Sequence, residues 1–172
     1  MEYKEFLNKK HQVLKDCGFT VESSLINSKL FDYQADIVKW ALKKGRAAIF
    51  ADTGLGKTIM QCEWARHVAK HTNKPVLILA PLCISEQTQR EAKNILDMDV
   101  VRYSQDLDNY SGVYVTNYEQ IRNIDFSVFG GIVLDESSIL KHRDSKTRLL
   151  IILTLIFFWF ALTIVGVNKT IT

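Results

Sequence analysis

The chain has 172 residues, of which 24% are charged, and a net charge of +3. This length is sufficient for one α/β domain with a hydrophobic core, whereas so small a net charge decides little about a nucleic-acid partner. Three cysteines, Cys17, Cys62 and Cys83, are odd in number and lack metal-ligand spacing. They are typical of small buried hydrophobic side chains in a reducing compartment. The charged, amphipathic stretch over 1–15 is unlike a secretory signal.

The predicted elements alternate between helix and strand, and glycines or prolines separate several of them. In chain order they are a helix over 5–17, an irregular segment over 19–27, a helix over 33–44, a strand over 46–51, a helix over 57–70, a strand over 76–80, a helix over 85–96 capped by Ser85, strands over 100–103 and 113–115, a helical turn over 118–121 and a strand over 131–134. Such alternation predicts an α/β fold, with a parallel sheet, right-handed crossovers and helices on both faces.

A glycine-rich loop joins the first predicted strand to the helix that follows it. Backbone N–H groups of such a loop, together with the partial positive charge of a helix N-terminus, bind anions. Gly54 and Gly56 allow backbone angles and close approaches that a Cβ would block. Lys57 is predicted to reach the β- and γ-phosphates of a nucleotide, and the Thr58 hydroxyl to bind Mg²⁺. The predicted nucleotide-binding residues of the loop are Thr53, Gly54, Leu55, Gly56, Lys57 and Thr58.

Two carboxylates follow the apolar run Gly131-Ile132-Val133-Leu134, which is typical of a central parallel strand covered on both faces. Asp135 is expected at the carboxyl end of that strand, where ligands of open α/β sheets bind, and it can hold Mg²⁺ through water. Glu136 is then placed to orient or deprotonate an attacking water molecule. The pair alone is a weak signal, but together with the upstream loop it predicts a nucleoside-triphosphate and magnesium site.

His67 and His71 lie four residues apart on one predicted helix, with Glu63 one turn earlier on the same face. This spacing suggests a metal site. No other cluster of ligand-type residues accompanies them, so polar cover near a helix C-terminus, with Glu63 as a partner along the helix, is the favoured interpretation.

Four further stretches resemble superfamily-two helicases and translocases, in particular the Swi/Snf-like or phage-type DEAD/DEAH-box members. The stretches are Leu30-Phe31-Asp32-Tyr33-Gln34, Leu79-Ala80-Pro81-Leu82, Val115-Thr116-Asn117-Tyr118-Glu119, and Asp135-Glu136-Ser137-Ser138 with Lys141, Ser145 and Lys146. The resemblance covers about 30–148 and implies a P-loop NTPase fold, the first RecA-like domain of such an enzyme. It implies that Gln34 reads adenine, since an amide donates and accepts at once, and that Pro81 and Thr116 contact the nucleic-acid backbone. Each of these residues also has an alternative interpretation. Gln34 could be a structural residue at the start of a helix, and the motifs of Pro81 and Thr116 could be strands that end in polar turns.

The resemblance weakens in an apolar tail, because 149–167 contains no charged residue. Residues 160–163 resemble the remnant of a family strand, but Ile164 and Val165 replace the expected small and hydroxyl pair. The tail is a membrane span, a merged core helix and strand, or an altered or truncated end of a longer gene product. The last interpretation is favoured, so 149–172 is expected to lie outside the native domain.

These features predict a helicase-type ATPase domain over 30–148, after a helical extension over 1–29. ATP and Mg²⁺ are the predicted cofactors, with Lys57 and Glu136 catalytic and Thr58 and Asp135 as metal ligands. The predicted partners are DNA and a second RecA-like domain, missing here together with its arginine finger; a membrane is not expected, and the location is cytoplasmic or nucleoid-associated. The rival interpretations are an inactive nucleotide-binding fragment and a P-loop NTPase without a nucleic-acid role.

Overall fold

The structure, a computed structural model, describes residues 16–104, 111–136 and 161–166. Six strands form one sheet: β1 Arg46–Ala51, β2 Val76–Ala80, β3 Val100–Arg102, β4 Val113–Asn117, β5 Gly131–Asp135 and β6 Ala161–Gly166. Their spatial order is β1-β6-β5-β2-β4-β3, and every neighbouring pair is parallel. All carboxyl ends therefore lie along one edge of the sheet, as the sequence predicts.

The described residues also form three α-helices and three 3₁₀ turns, which lie before β1 or between the strands that precede β6. The helices are α1 Asp32–Lys44, α2 Lys57–Thr72 and α3 Leu82–Leu96, and the 3₁₀ turns are Ser23–Leu25, Tyr118–Asn123 and Phe126–Val128. The expected α/β fold with a parallel sheet is confirmed. In the described part of the chain, the α-helices pack on one face of the sheet and the last two 3₁₀ turns on the other.

The strand β2 shows why the sheet is covered on both sides. All five of its residues are buried, and successive side chains point to opposite faces. Val76, Ile78 and Ala80 join the core beneath the α-helices, whereas Leu77 and Leu79 join the core beneath the 3₁₀ turns. A run without polar alternation is what a strand buried on both faces requires.

Most predicted bounds lie within two residues of the observed ones, but the start of α3 was predicted wrongly. Pro81, not Ser85, precedes the first helical residue. Ser85 lies one turn inside the helix, where its hydroxyl donates to the Pro81 carbonyl at 3.4 Å. Proline fixes its own φ near the helical value, so the turn that Pro81 makes leads directly into the helix.

The segment before α1 is attached to that helix through backbone hydrogen bonds. The N–H groups of Cys17, Gly18 and Phe19 donate to the carbonyls of Lys44, Lys43 and Leu42 at 3.0–3.3 Å. Helix C-termini leave their last carbonyls without intrahelical partners, so this segment supplies the donors. The predicted helix over 5–17 lies almost wholly outside the described residues.

The strand β6 corrects the expectation for the apolar tail. Residues 161–166 pair with β1 on one side and with β5 on the other, which places them inside the sheet. For these six residues, the expected exclusion from the domain is wrong, and Ile164 and Val165 are part of a strand. The remainder of the tail lies outside the described residues. Among the helices that the structure describes, none is long and apolar enough to cross a membrane.

Candidate functional site

The glycine-rich loop turns from the end of β1 into the start of α2 through two left-handed residues. Gly54 has φ +84° and Gly56 has φ +72°, a region that side chains with a Cβ rarely adopt. A Cβ at Gly54 would meet open space, whereas one at Gly56 would lie 2.3 Å from Nε2 of Gln34. Glycine therefore suits position 56 through its left-handed backbone angle, and a Cβ there would also displace the Gln34 amide.

Lys57 begins α2 with its ammonium held at the mouth of this loop. Its Nζ donates to the carbonyls of Ala51 at 3.3 Å and Asp52 at 3.1 Å. The first N–H groups of a helix have no intrahelical acceptor, so Lys57 and Thr58 add backbone donors beside the ammonium. A fixed cation and free helix-start amides at the carboxyl edge of a parallel sheet are the chemistry that binds phosphate.

Gln34 connects α1 to the loop. Its Oε1 accepts from the backbone N–H of Phe31 at 3.0 Å, and its Nε2 donates to the carbonyl of Leu55 at 3.2 Å. Only 5% of the residue is exposed. The structure thus gives Gln34 a structural role in capping α1 and holding the loop, and the adenine contact remains a prediction.

Asp135 ends β5 as a buried carboxylate, 4% exposed, close to the loop. Nε2 of Gln61 lies 3.4 Å from its Oδ2, and the Tyr118 hydroxyl donates to its backbone carbonyl at 2.5 Å. Burial raises the pKa of Asp135 and is the largest effect. The hydrogen bond from Gln61 and the charge of Lys57 lower this pKa, whereas the charge of Glu136 raises it. Because Gln61 lies on the helix that begins with Lys57, its contact with Asp135 brings the start of that helix and the acidic strand together in one site.

Glu136 follows Asp135 with a backbone φ of +49°, which is uncommon for a residue that has a side chain. It is half-buried. The left-handed turn redirects the chain at the end of β5, directly beside the carboxylate of Asp135.

The residues fit a magnesium nucleotide by their chemistry. Mg²⁺ prefers oxygen ligands and keeps several water molecules. The Thr58 hydroxyl and the Asp135 carboxylate offer oxygen atoms of this kind. Oε1 of Gln61 is buried without a hydrogen-bond partner among the described residues, so an acceptor also remains beside Asp135.

Pro81, which directly follows β2, and Thr116 of the neighbouring β4 lie at the same edge of the sheet, since Ala80 pairs with Asn117. Thr116 lines a polar cleft of about 310 Å³ together with Arg102, Asn117 and Gln120. It is only 5% exposed, so the neighbouring side chains supply most of the accessible polar surface. Pro81 is not part of the cleft lining.

The predicted role of Glu63 as a partner along the helix is confirmed by its 3.0 Å contact with His67, but the prediction of polar cover is wrong for His67, which is buried. Glu63 has a side chain that is 0% exposed and that of His67 is 7% exposed. Glu63 accepts hydrogen bonds from Arg66, His67 and the backbone N–H of Asn27. His71 stacks on Phe19 with ring centroids 3.8 Å apart. No group of three potential ligands for a metal ion occurs in the ranges that the structure describes.

The expectation for the cysteines holds only in part. All three are free, and Cys62 is buried, Cys17 is half-buried and Cys83 is exposed. Burial, then the charges of Asp135, Glu91 and Glu63, raises the pKa of the Cys62 thiol.

Gln61 and Tyr118, which both contact Asp135, were not predicted as site residues from the sequence. Gln61 lies four residues after Lys57, one helical turn along the same face, and this spacing would have placed it near the predicted phosphates. Tyr118 follows β4, but nothing in the sequence indicates that its hydroxyl reaches the end of β5.

The parallel sheet, the glycine-rich loop and the acidic strand end define a P-loop NTPase domain of RecA-like architecture. Residues 27–153 match the family described as "Type III restriction enzyme, res subunit". The chain belongs to this family and is a RecA-like domain of the superfamily-two helicase class. No curated protein matches it.

Solved structures of helicase-type ATPases have a similar fold. The SWI2/SNF2 ATPase core of Sulfolobus solfataricus, in complex with double-stranded DNA, is 19% identical with a TM-score of 0.70, over 87% of this chain and 34% of that chain. The UvsW helicase of bacteriophage T4 is 19% identical with a TM-score of 0.66, over 99% of this chain and 62% of that chain. The chain therefore spans about one third of the length of the SWI2/SNF2 ATPase core and somewhat under two thirds of the length of the UvsW helicase.

Proposed function

We propose that this domain binds ATP with Mg²⁺ and hydrolyses the γ-phosphate to drive movement along nucleic acid. The observation that carries the proposal is that the glycine-rich loop and the acidic strand converge. The helix α2, which begins with Lys57, also carries Gln61, whose Nε2 lies 3.4 Å from Oδ2 of the buried Asp135. Family membership supports an ATPase of the helicase type.

The roles follow from position. Lys57 and the N–H groups at the start of α2 would bind the phosphates, and Thr58 and Asp135 would hold Mg²⁺, which neutralises charge on the phosphate oxygens. Glu136, next to the metal-side carboxylate, would orient the attacking water molecule or accept its proton. Gln34 would reach adenine from α1 while it holds the loop.

The polymer partner is inferred at the same edge of the sheet. The polar cleft beside Thr116 has an exposed cation, Arg102, and amide side chains, which are groups that bind phosphate oxygens. One solved structure of similar fold is a complex with double-stranded DNA, and DNA is therefore the proposed polymer. Translocation by superfamily-two enzymes implies a second RecA-like domain with an arginine finger, which contributes on the order of 10³–10⁵ in rate.

The test is nucleotide affinity in Lys57→Ala, measured by fluorescence with a labelled ATP analogue and Mg²⁺. A charge-assisted hydrogen bond to a phosphate contributes about 1.5–3 kcal/mol, so the affinity should fall at least about tenfold. Lys70→Ala is the matched control, because this lysine lies on the same helix and is exposed. Unchanged affinity in a folded Lys57→Ala protein would exclude the phosphate-binding assignment.

Stimulation of ATP turnover by DNA separates the proposal from its rivals. An inactive nucleotide-binding fragment would bind ATP without turnover, even when a second RecA-like domain is supplied. An NTPase without a nucleic-acid role would turn over ATP at a rate that DNA does not change.

A further inference from the structure

Gln61 lies where a buried helix passes the end of the acidic strand. It occupies the second turn of α2 and is 0% exposed. Its amide is directed at Asp135, with Nε2 3.4 Å from Oδ2. The same helix supplies Lys57 and Thr58 one turn earlier, so one rigid element carries the phosphate-binding residues and a group that contacts the metal-side carboxylate.

A buried amide at this place requires an explanation. A buried polar group without all its partners costs free energy, about 1–3 kcal/mol for one that is unsatisfied. Oε1 of Gln61 has no hydrogen-bond partner among the described residues, while neighbours on α2 such as Met60 and Cys62 are apolar and fully buried. An apolar side chain of the same size would suit this core better if packing were the only requirement.

The two ends of the amide match the needs of a magnesium site. An N–H donor to one carboxylate oxygen fixes the rotation of that carboxylate, and partners of this kind orient metal ligands. The free Oε1 is an acceptor, and water molecules held by Mg²⁺ are donors. The Tyr118 hydroxyl fixes the backbone of the same residue, so side chain and main chain of Asp135 are held separately.

We propose that Gln61 is a positioning residue for the magnesium ion. From α2, Gln61 orients the Asp135 carboxylate and couples this carboxylate to the phosphate-binding residues at the start of the same helix. This inference rests on the proposed function, since it concerns the magnesium of the bound nucleotide. Gln61 acts through Asp135, the residue that its amide contacts.

The experiment compares the affinity for ADP in Mg²⁺ with the affinity in EDTA, and the ratio is the magnesium-dependent gain. The principal variant is Gln61→Met, which keeps the length and the helix-forming character of the side chain and removes the amide. Val68→Ala is the matched control: it truncates a fully buried residue of α2, about 10 Å further along the helix. Binding of Mn²⁺ in the presence of ADP, followed by electron paramagnetic resonance, reports the metal directly.

We expect Gln61→Met to reduce the magnesium-dependent gain about tenfold, with ADP affinity in EDTA unchanged within about twofold. Mn²⁺ binding should weaken in parallel, and Val68→Ala should lose thermal stability without a change in the gain. An unchanged gain in Gln61→Met, or an equal loss of affinity in Mg²⁺ and in EDTA, would overturn the proposal.

Gln61→Leu is measured alongside, so that a poorly folded Gln61→Met protein does not decide the outcome. If neither variant shows the selective loss, Gln61 has only a structural role. A wild-type chain that binds no nucleotide in either condition would refute the proposed function itself, whereas normal wild-type binding with unaffected variants would refute only the role of Gln61.

Discussion

The substitution Glu63→Gln tests the buried charge network that attaches the segment before α1 to α2. The carboxylate accepts from Arg66 at 2.6 and 2.9 Å, from His67 at 3.0 Å and from the backbone N–H of Asn27 at 2.9 Å. Arg66 also donates to the carbonyl of Leu25 at 3.1 Å. Removing the charge of Glu63 leaves the Arg66 guanidinium and the backbone around Asn27 without the anion that binds them.

The magnitude follows from the pKa of this carboxyl group. Burial raises it, but the hydrogen bonds from His67, Arg66 and Asn27 outweigh burial and hold the pKa at about 2, against an ordinary value of 4.5. A depression of this size corresponds to about 3 kcal/mol of stability at neutral pH. Because the folded-state pKa is lowered, this contribution is present above the unfolded pKa and is lost as the pH falls toward 2.

Urea denaturation of the wild type and Glu63→Gln at several pH values measures this difference. We expect the variant to be less stable by about 3 kcal/mol at pH 7, and by about half of that at pH 3. Glu86→Gln, an exposed position on α3, should change stability by less than about 0.5 kcal/mol. A pH-independent difference, or a Glu63→Gln protein as stable as the wild type, would refute the network as a source of stability.

Two further substitutions test the site. Gly56→Ala should destabilise the fold by about 1–2 kcal/mol through the left-handed backbone, and it should also weaken ADP binding, because its Cβ would displace Gln34. Thermal unfolding with and without ADP measures both effects. Gly54→Ala serves as the comparison, because a Cβ at Gly54 would meet open space. Glu136→Gln should retain nucleotide affinity and abolish hydrolysis in a protein that also carries a second RecA-like domain, since its role exists only in the transition state. Equal loss of binding and turnover would instead indicate a structural or metal-binding role.

The sequence was sufficient for the loop and for most of the sheet because those features depend on local pattern. A glycine-rich turn between a strand and a helix, and the unbroken apolar run of β2, need no knowledge of the rest of the chain. The carboxylate pair of Asp135 and Glu136 was placed correctly because the carboxyl ends of parallel strands share one edge.

The burial of polar residues on α2 was not predictable in the same way. This helix lies between α1 and α3 and against the sheet, so residues that helical periodicity would assign to an exposed face are enclosed. Gln61, Glu63 and His67 are buried for that reason. The strand β6, Ala161–Gly166, was anticipated only as a strand remnant over 160–163 and was not placed in the domain. Its residues belong to a long apolar run without the alternation or the breaks that delimit a strand.

The position of β6 has a consequence for the order in which the domain folds. In the described sheet, β1 has β6 as its neighbour, and Arg46 pairs with Ala161 while Ala51 pairs with Gly166. The strand that leads into the glycine-rich loop thus joins the sheet through residues that are synthesised more than a hundred positions later. Contacts so distant in sequence form slowly, because the chain entropy of closing the loop is lost before they stabilise anything. Competence to bind nucleotide is therefore expected to arise late on the ribosome, after the helices have formed and β6 has emerged.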